Sequence, residues 1–145
     1  MLNDSDKKKV ASMLQEVPLF SSLDKKSLNA IASSAAKKTF KSGDVIAKEG
    51  ETALSFYLIL DGSVDVRRKK KVLAKLGKGQ FFGEMALFDE QPRSADVVAT
   101  TDGTECIVLS SWAFAGVTTA NPKMSLAIIK ELVRRLRETN SALTE

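Results

Sequence analysis

The residues of this chain whose types and spacing suit chemistry lie in one stretch, 82–95: Phe82, Gly83, Glu84, Met85 and Ala86, then Arg93, Ser94 and Ala95. Gly83 permits close approach of the backbone to a ligand, and residues 84–87 are good helix formers, so one helical turn is expected to begin there. The amide hydrogens and positive dipole end of such a turn suit a phosphate. Arg93 adds a planar guanidinium able to make paired, charge-assisted bonds to phosphate oxygens, and Ser94 adds a hydroxyl donor beside it. Pro92 restricts the backbone just before Arg93 and helps to aim it. Glu84 is out of place in a pure phosphate site, but a carboxylate accepts well from a ribose hydroxyl. Acid and base then read different parts of one molecule. Each residue also has a plainer role: Glu84 as a helix N-terminal charge, Ser94 as a turn hydroxyl, and Arg93 as a surface partner of Asp89, Glu90 or Asp96.

What the chain lacks narrows the chemistry. Histidine is absent, which removes the usual general base and the commonest metal ligand. Asp and Glu form no metal-ligand pattern, and the run from Gly77 to Gly83 lacks the spacing of a dinucleotide-binding loop. No enzymatic activity, metal or cofactor is expected. Cys106, the one cysteine, sits in an apolar run and is expected to pack as a small hydrophobe. The net charge is +4, but much of the excess lies in residues 67–71, a run of two arginines and three lysines that fits a solvated hairpin tip and lacks interleaved aromatic residues. No stretch approaches a bilayer span and no signal-peptide pattern opens the chain, so a cytoplasmic address is the default.

The elements that must position the 82–95 segment follow from periodicity and punctuation. A single domain, 1–145, is expected, with 43% apolar residues and 28% charged. Two helices are expected over 1–38, one near 6–16 and one after the N-cap Asp24 with Leu28, Ile31 and Ala35 on one face, separated by Pro18. From 39 to 110 closely spaced turns predict an antiparallel barrel with strands at 56–60, 64–67, 72–76, 95–99 and 104–109. Over 111–145, Ser110 or Ser111 caps a short helix through Phe114, and Asn121-Pro122 opens a long one. Leu126, Ile129, Val133, Leu136, Asn140 and Leu143 form a heptad stripe on that last helix, with Ile128 and Leu132 as a second apolar row. The helix can therefore pack on its own barrel, pair with a second copy, or do both. The fold class is α+β: a jelly-roll-like antiparallel barrel with N-terminal helices, a short cassette helix and a long C-terminal helix.

The run Gly83-Glu84-Met85-Ala86-Leu87 followed by Pro92-Arg93-Ser94-Ala95 closely resembles the phosphate-binding cassette of cyclic nucleotide-binding domains. Phe40, the stretch from Gly43 to Ile46, Gly50 and the stretch from Phe56 to Val64 resemble that family's barrel, so the likeness covers nearly the whole chain. By this resemblance Glu84 would bind the ribose 2′-hydroxyl, Arg93 and Ser94 the cyclic phosphate, and backbone amides near Ala86 would complete the cradle. Val66, Leu73 and Ala74 would contact the base. Thr139 and Asn140 would face the purine, as in the bacterial catabolite activator subgroup, although Asn140 also fits a polar position in the heptad stripe. The expected ligand is cAMP, with cGMP left open, bound to a regulatory module whose C-terminal helix moves in response. The expected partners are thus a cyclic nucleotide, a second copy through the C-terminal helix, and an effector protein or domain of unknown kind. Two other readings stand beside this one. A cAMP-responsive transcription regulator would need a recognition helix after Glu145, so nucleic acid is not an expected partner of this chain. A ligand-free structural barrel is disfavoured by the intact glycine, glutamate, arginine and serine.

Overall fold

Turn chemistry decides where the strands stop. The computed structural model describes residues 2–144, with side chains described through 141. It divides into two compact units, Ser34–Ala115 with the first residues of the chain, and Asn3–Ser33 with the segment from Gly116 onward.

The first unit is built from eight strands: β1 (Ala36–Phe40), β2 (Val45–Ala47), β3 (Ser55–Asp61), β4 (Ser63–Arg68), β5 (Lys71–Gly77), β6 (Phe81–Phe82), β7 (Asp96–Ala99) and β8 (Thr104–Ser110). They form two four-stranded sheets ordered β1-β8-β3-β6 and β2-β7-β4-β5, with antiparallel pairing throughout. This is the expected jelly-roll-like arrangement. All five expected strands are present, and the first begins at Ala36, earlier than the barrel start expected at residue 39. Gly62 shows how tightly β3 must turn into β4. Its φ is +89°, and a Cβ there would lie 2.8 Å from Thr104 Cα, so only glycine lets the corner close against β8. Between the sheets Ala47, Ile59, Val64, Val97 and Cys106 form a buried cluster, with Phe40, Tyr57, Val66 and Phe82 packed on it. Burial of such apolar surface is the main favourable term holding the two sheets together.

In the second unit, Asn3 Oδ1 accepts from the Asp6 amide at 2.8 Å and starts α1 (Asp4–Leu14), two residues before the expected start. A single 3-10 turn, Pro18–Phe20, follows, and Asp24 Oδ1 accepts from the Ser27 amide at 2.8 Å to cap α2 (Lys25–Ser33) as expected. α3 (Ser111–Ala120) leaves β8 with Ser110 Oγ accepting from the Ala113 amide, and it spans both units. It runs past the expected end at Phe114 because no strong helix breaker occurs before Asn121-Pro122. α4 (Pro122–Thr144) begins at that proline as expected, and the Asn121 side-chain amide donates to the Val117 carbonyl at 2.8 Å. α4 separates two rows. Met124 and Ile128 are buried and Leu132 is partly so, whereas Leu126, Ile129, Val133 and Leu136 are 53, 55, 44 and 60% exposed. Leu143, the last residue of the expected stripe, lies outside the described side chains. Among the described residues no helix is long and apolar enough to cross a membrane.

Cys106 lies wholly inside the core, where burial pushes its thiol from about 9 up to about 11. The native thiol should therefore resist an aromatic disulfide reagent at pH 8 and react once the chain is unfolded. Because the folded state keeps a proton that the unfolded chain releases, this group's contribution to stability should fall as pH rises from about 9 through about 11. Thiol titration with and without denaturant, and denaturant midpoints across that window, measure both.

Candidate functional site

After β6 the chain reaches Gly83 in the left-handed region, with φ +79°, and enters a 3-10 turn over Glu84–Leu87. The expected helical turn is therefore present in its tighter form. Ala86 donates its amide to the Gly83 carbonyl at 3.1 Å, closing the turn.

The return segment is pinned by backbone bonds to residues 50–53. Ala53 donates to the Gln91 carbonyl at 3.1 Å, Arg93 to the Glu51 carbonyl at 2.8 Å, and Gly50 to the Arg93 carbonyl at 2.9 Å. Phe88 packs edge-on against Phe114 with ring centres 5.5 Å apart. Arg68 of β4 donates through Nε to the Ser94 carbonyl at 2.8 Å. One member of the basic run at 67–71 thus braces the site, which charge patterning alone does not reveal.

Arg93 itself is half-buried. Its Nη2 donates to the Ser55 carbonyl at 2.6 Å and its guanidinium lies 5.8 Å from the centre of the Tyr57 ring. Burial lowers its pKa from the ordinary arginine value, yet the group keeps its charge. The three carboxylates that could have partnered it at the surface are engaged elsewhere. Glu90 accepts from Ser111 Oγ at 2.7 Å, Asp96 from the Glu49 amide at 2.7 Å, and Asp89 from the Gln91 amide at 3.3 Å. Among the described residues no carboxylate pairs with Arg93.

A cavity of about 350 Å³ opens between the segment and the barrel wall. Phe82, Gly83, Glu84, Met85, Ala86, Arg93, Ser94 and Ala95 all line it, and so does Val66 of β4. The Glu84 Oε2 atom is shielded from solvent. Residues that pattern reading missed are also in the wall: Ala53, Asp89, Gln91 and Val97. Leu73 and Ala74 lie on β5, where Ala74 pairs with Val66, and they are not among the lining residues. Thr139 and Asn140 are exposed on α4 in the other unit, and Thr139 Oγ1 donates to the Arg135 carbonyl at 3.0 Å. Among the described residues no group of His, Cys, Asp and Glu is placed to hold a metal ion.

A jelly-roll-like barrel that carries a glycine-turn-arginine segment beside a wall pocket defines a ligand-binding barrel. The family model described as "Cyclic nucleotide-binding domain" matches residues 37–121, and the chain belongs to that family. The cAMP-dependent protein kinase regulatory subunit of Schizosaccharomyces pombe is 41% identical over 91 residues, covering 62% of this chain and 22% of that protein. The cGMP-dependent protein kinase of Plasmodium berghei is 35% identical over 95 residues, covering 66% of this chain and 11% of that protein. The chain thus spans less than a quarter of the length of these two relatives. Among solved structures, the N-terminal domain of a transcriptional regulator from Streptomyces coelicolor superposes with a TM-score of 0.85 at 29% identity, covering 90% of this chain and 94% of that one.

Gly83 is the position at which the segment tolerates least. A Cβ there would strike Arg93 Nη1 and lie 2.8 Å from the Ser55 carbonyl, and the left-handed backbone is strained for any other residue. Gly83→Ala should cost about 1–3 kcal/mol of stability, read as a lowered denaturant midpoint with an unchanged slope.

Proposed function

We propose that this chain is a regulatory module that binds a purine 3′,5′-cyclic nucleotide, cAMP foremost with cGMP as the competitor, without turning it over. The observation that carries this reading is Arg93, a half-buried cation with no carboxylate partner among the described residues, on the wall of a cavity that Glu84 and Ser94 share. Arg93, Ser94 and backbone amides near Ala86 hold the phosphate, and Glu84 accepts from the ribose hydroxyl. Val66 packs on the base. Roles for Leu73, Ala74, Thr139 and Asn140 against the base rest on the family resemblance alone. Regulation requires that the ligand bind one placement of α4 more tightly than another, since equal affinity shifts no equilibrium.

Calorimetric titration with cAMP and with cGMP tests the reading. The native chain should release heat with cAMP, and Arg93→Ala should weaken binding by about 2–5 kcal/mol, the usual cost of truncating one partner of a desolvated charge pair. Heat with neither nucleotide would return the chain to the ligand-free barrel.

A second part of the proposal concerns association. The α4 stripe advances by three and four residues in alternation, is solvent-exposed, and places Leu126, Val133 and Asn140 in one core position and Ile129 and Leu136 in the other. A parallel two-stranded coil with a second copy suits this pattern, with the asparagine setting register. Light scattering on a sizing column should then give twice the chain mass for the native protein, and Leu136→Lys should shift it to a monomer.

A further inference from the structure

We propose that Tyr57 is a positioning residue for phosphate recognition: its ring face presents the Arg93 guanidinium to the pocket. The inference rests on the cyclic nucleotide reading given above.

The slot that holds Arg93 is made by two paired strands. In the register of β3 with β6, Tyr57 stands opposite Phe82, and their rings stack 4.8 Å apart at an angle of 10°. The residue that follows β6 is Gly83, whose missing side chain leaves room for Arg93 Nη1. Ser55 lies two residues before Tyr57, and its carbonyl takes Nη2 at 2.6 Å. The guanidinium therefore has an aromatic face 5.8 Å from it, a carbonyl at one end and a bare backbone beside it.

Each part of this slot matches arginine chemistry. A guanidinium is planar, weakly hydrated and stacks on aromatic faces, and a ring centre within about 6 Å attracts it through the ring quadrupole. The Ser55 carbonyl uses one of its five N–H donors and leaves others for a phosphate. Holding the group in place before the ligand arrives lowers the ordering cost that a long side chain otherwise imposes on binding. Tyr57 does not line the 350 Å³ cavity, so it acts on a ligand there through the lining residues it packs on, Arg93 and Phe82, and a cycle with Arg93→Ala isolates the part carried by Arg93.

A tyrosine that only fills the barrel would also weaken binding when removed, so the test is a double-mutant cycle read by cAMP titration calorimetry. Tyr57→Phe keeps the ring face and should bind within about twofold of the native chain. Tyr57→Leu should bind about three- to tenfold more weakly. In the Arg93→Ala background, adding Tyr57→Leu should change affinity by less than about twofold. Melting curves without ligand check that each variant folds, and should Tyr57→Leu not fold, Tyr57→Met supplies the same cycle. Independent effects of the two substitutions would overturn the positioning role, as would Tyr57→Phe binding as weakly as Tyr57→Leu. Failure of the native chain to bind any cyclic nucleotide would overturn this inference together with the functional reading, whereas the first two outcomes leave that reading intact.

Discussion

A guanidinium cannot shed its charge at physiological pH, so burying one without a carboxylate partner costs free energy that the surrounding fold has to offset. Around Arg93 the offset is only partial. One carbonyl bond and one aromatic face replace lost water, and the remaining donors stay unmatched by any negative side chain among the described residues. An anionic ligand is the partner proposed for them. Much of the local architecture follows from keeping that cation in place: the left-handed Gly83, the backbone pairing of residues 50–53 with 91–93, and the Arg68 bond to the Ser94 carbonyl.

The carboxylates near this cation explain why the site is not self-quenching. Asp89, Glu90 and Asp96 are close in sequence to Arg93, yet each accepts from a different donor within the loop, the start of α3 or the β2 flank. A carboxylate already accepting hydrogen bonds gives up those contacts to pair with Arg93, and an exposed ion pair returns about 1 kcal/mol or less. The loop therefore stays acidic in composition while its one arginine remains open to a ligand.

Much of this was legible in the residues. Closely spaced turns placed the strands, Asp24 and Pro122 placed two helix starts, and the glycine, glutamate, arginine and serine of 82–95 do line one cavity. What could not be read is what depends on register. Periodicity assigns a residue to a face of its own strand but does not say which residue of another strand it meets. Tyr57 meets Phe82, Arg93 meets Ser55, and Ala53 and Val97 reach the pocket wall only through pairings between segments far apart in sequence. Leu73 and Ala74, which the family resemblance put at the base, lie on β5 and are not among the residues that line that cavity. Arg68 fails for another reason, since a run of like charges looks uniform in sequence while one member finds a carbonyl in space.

The composition of the pocket also bears on selectivity. Its polar groups belong to the 82–95 segment, and the strand residues opposite, Val66 and Val97, are apolar. Sugar and phosphate are common to adenine and guanine nucleotides, so Arg93, Ser94 and Glu84 would not tell them apart. Apolar walls discriminate by shape and offer no hydrogen bond to an exocyclic amino or keto group, and rejection of an isostere that merely adds a polar group by such a wall is modest. Strong preference for one purine therefore needs donors or acceptors from outside the barrel wall. Within this chain the side chains proposed for that task, Thr139 and Asn140, belong to the same helix that carries the exposed heptad stripe.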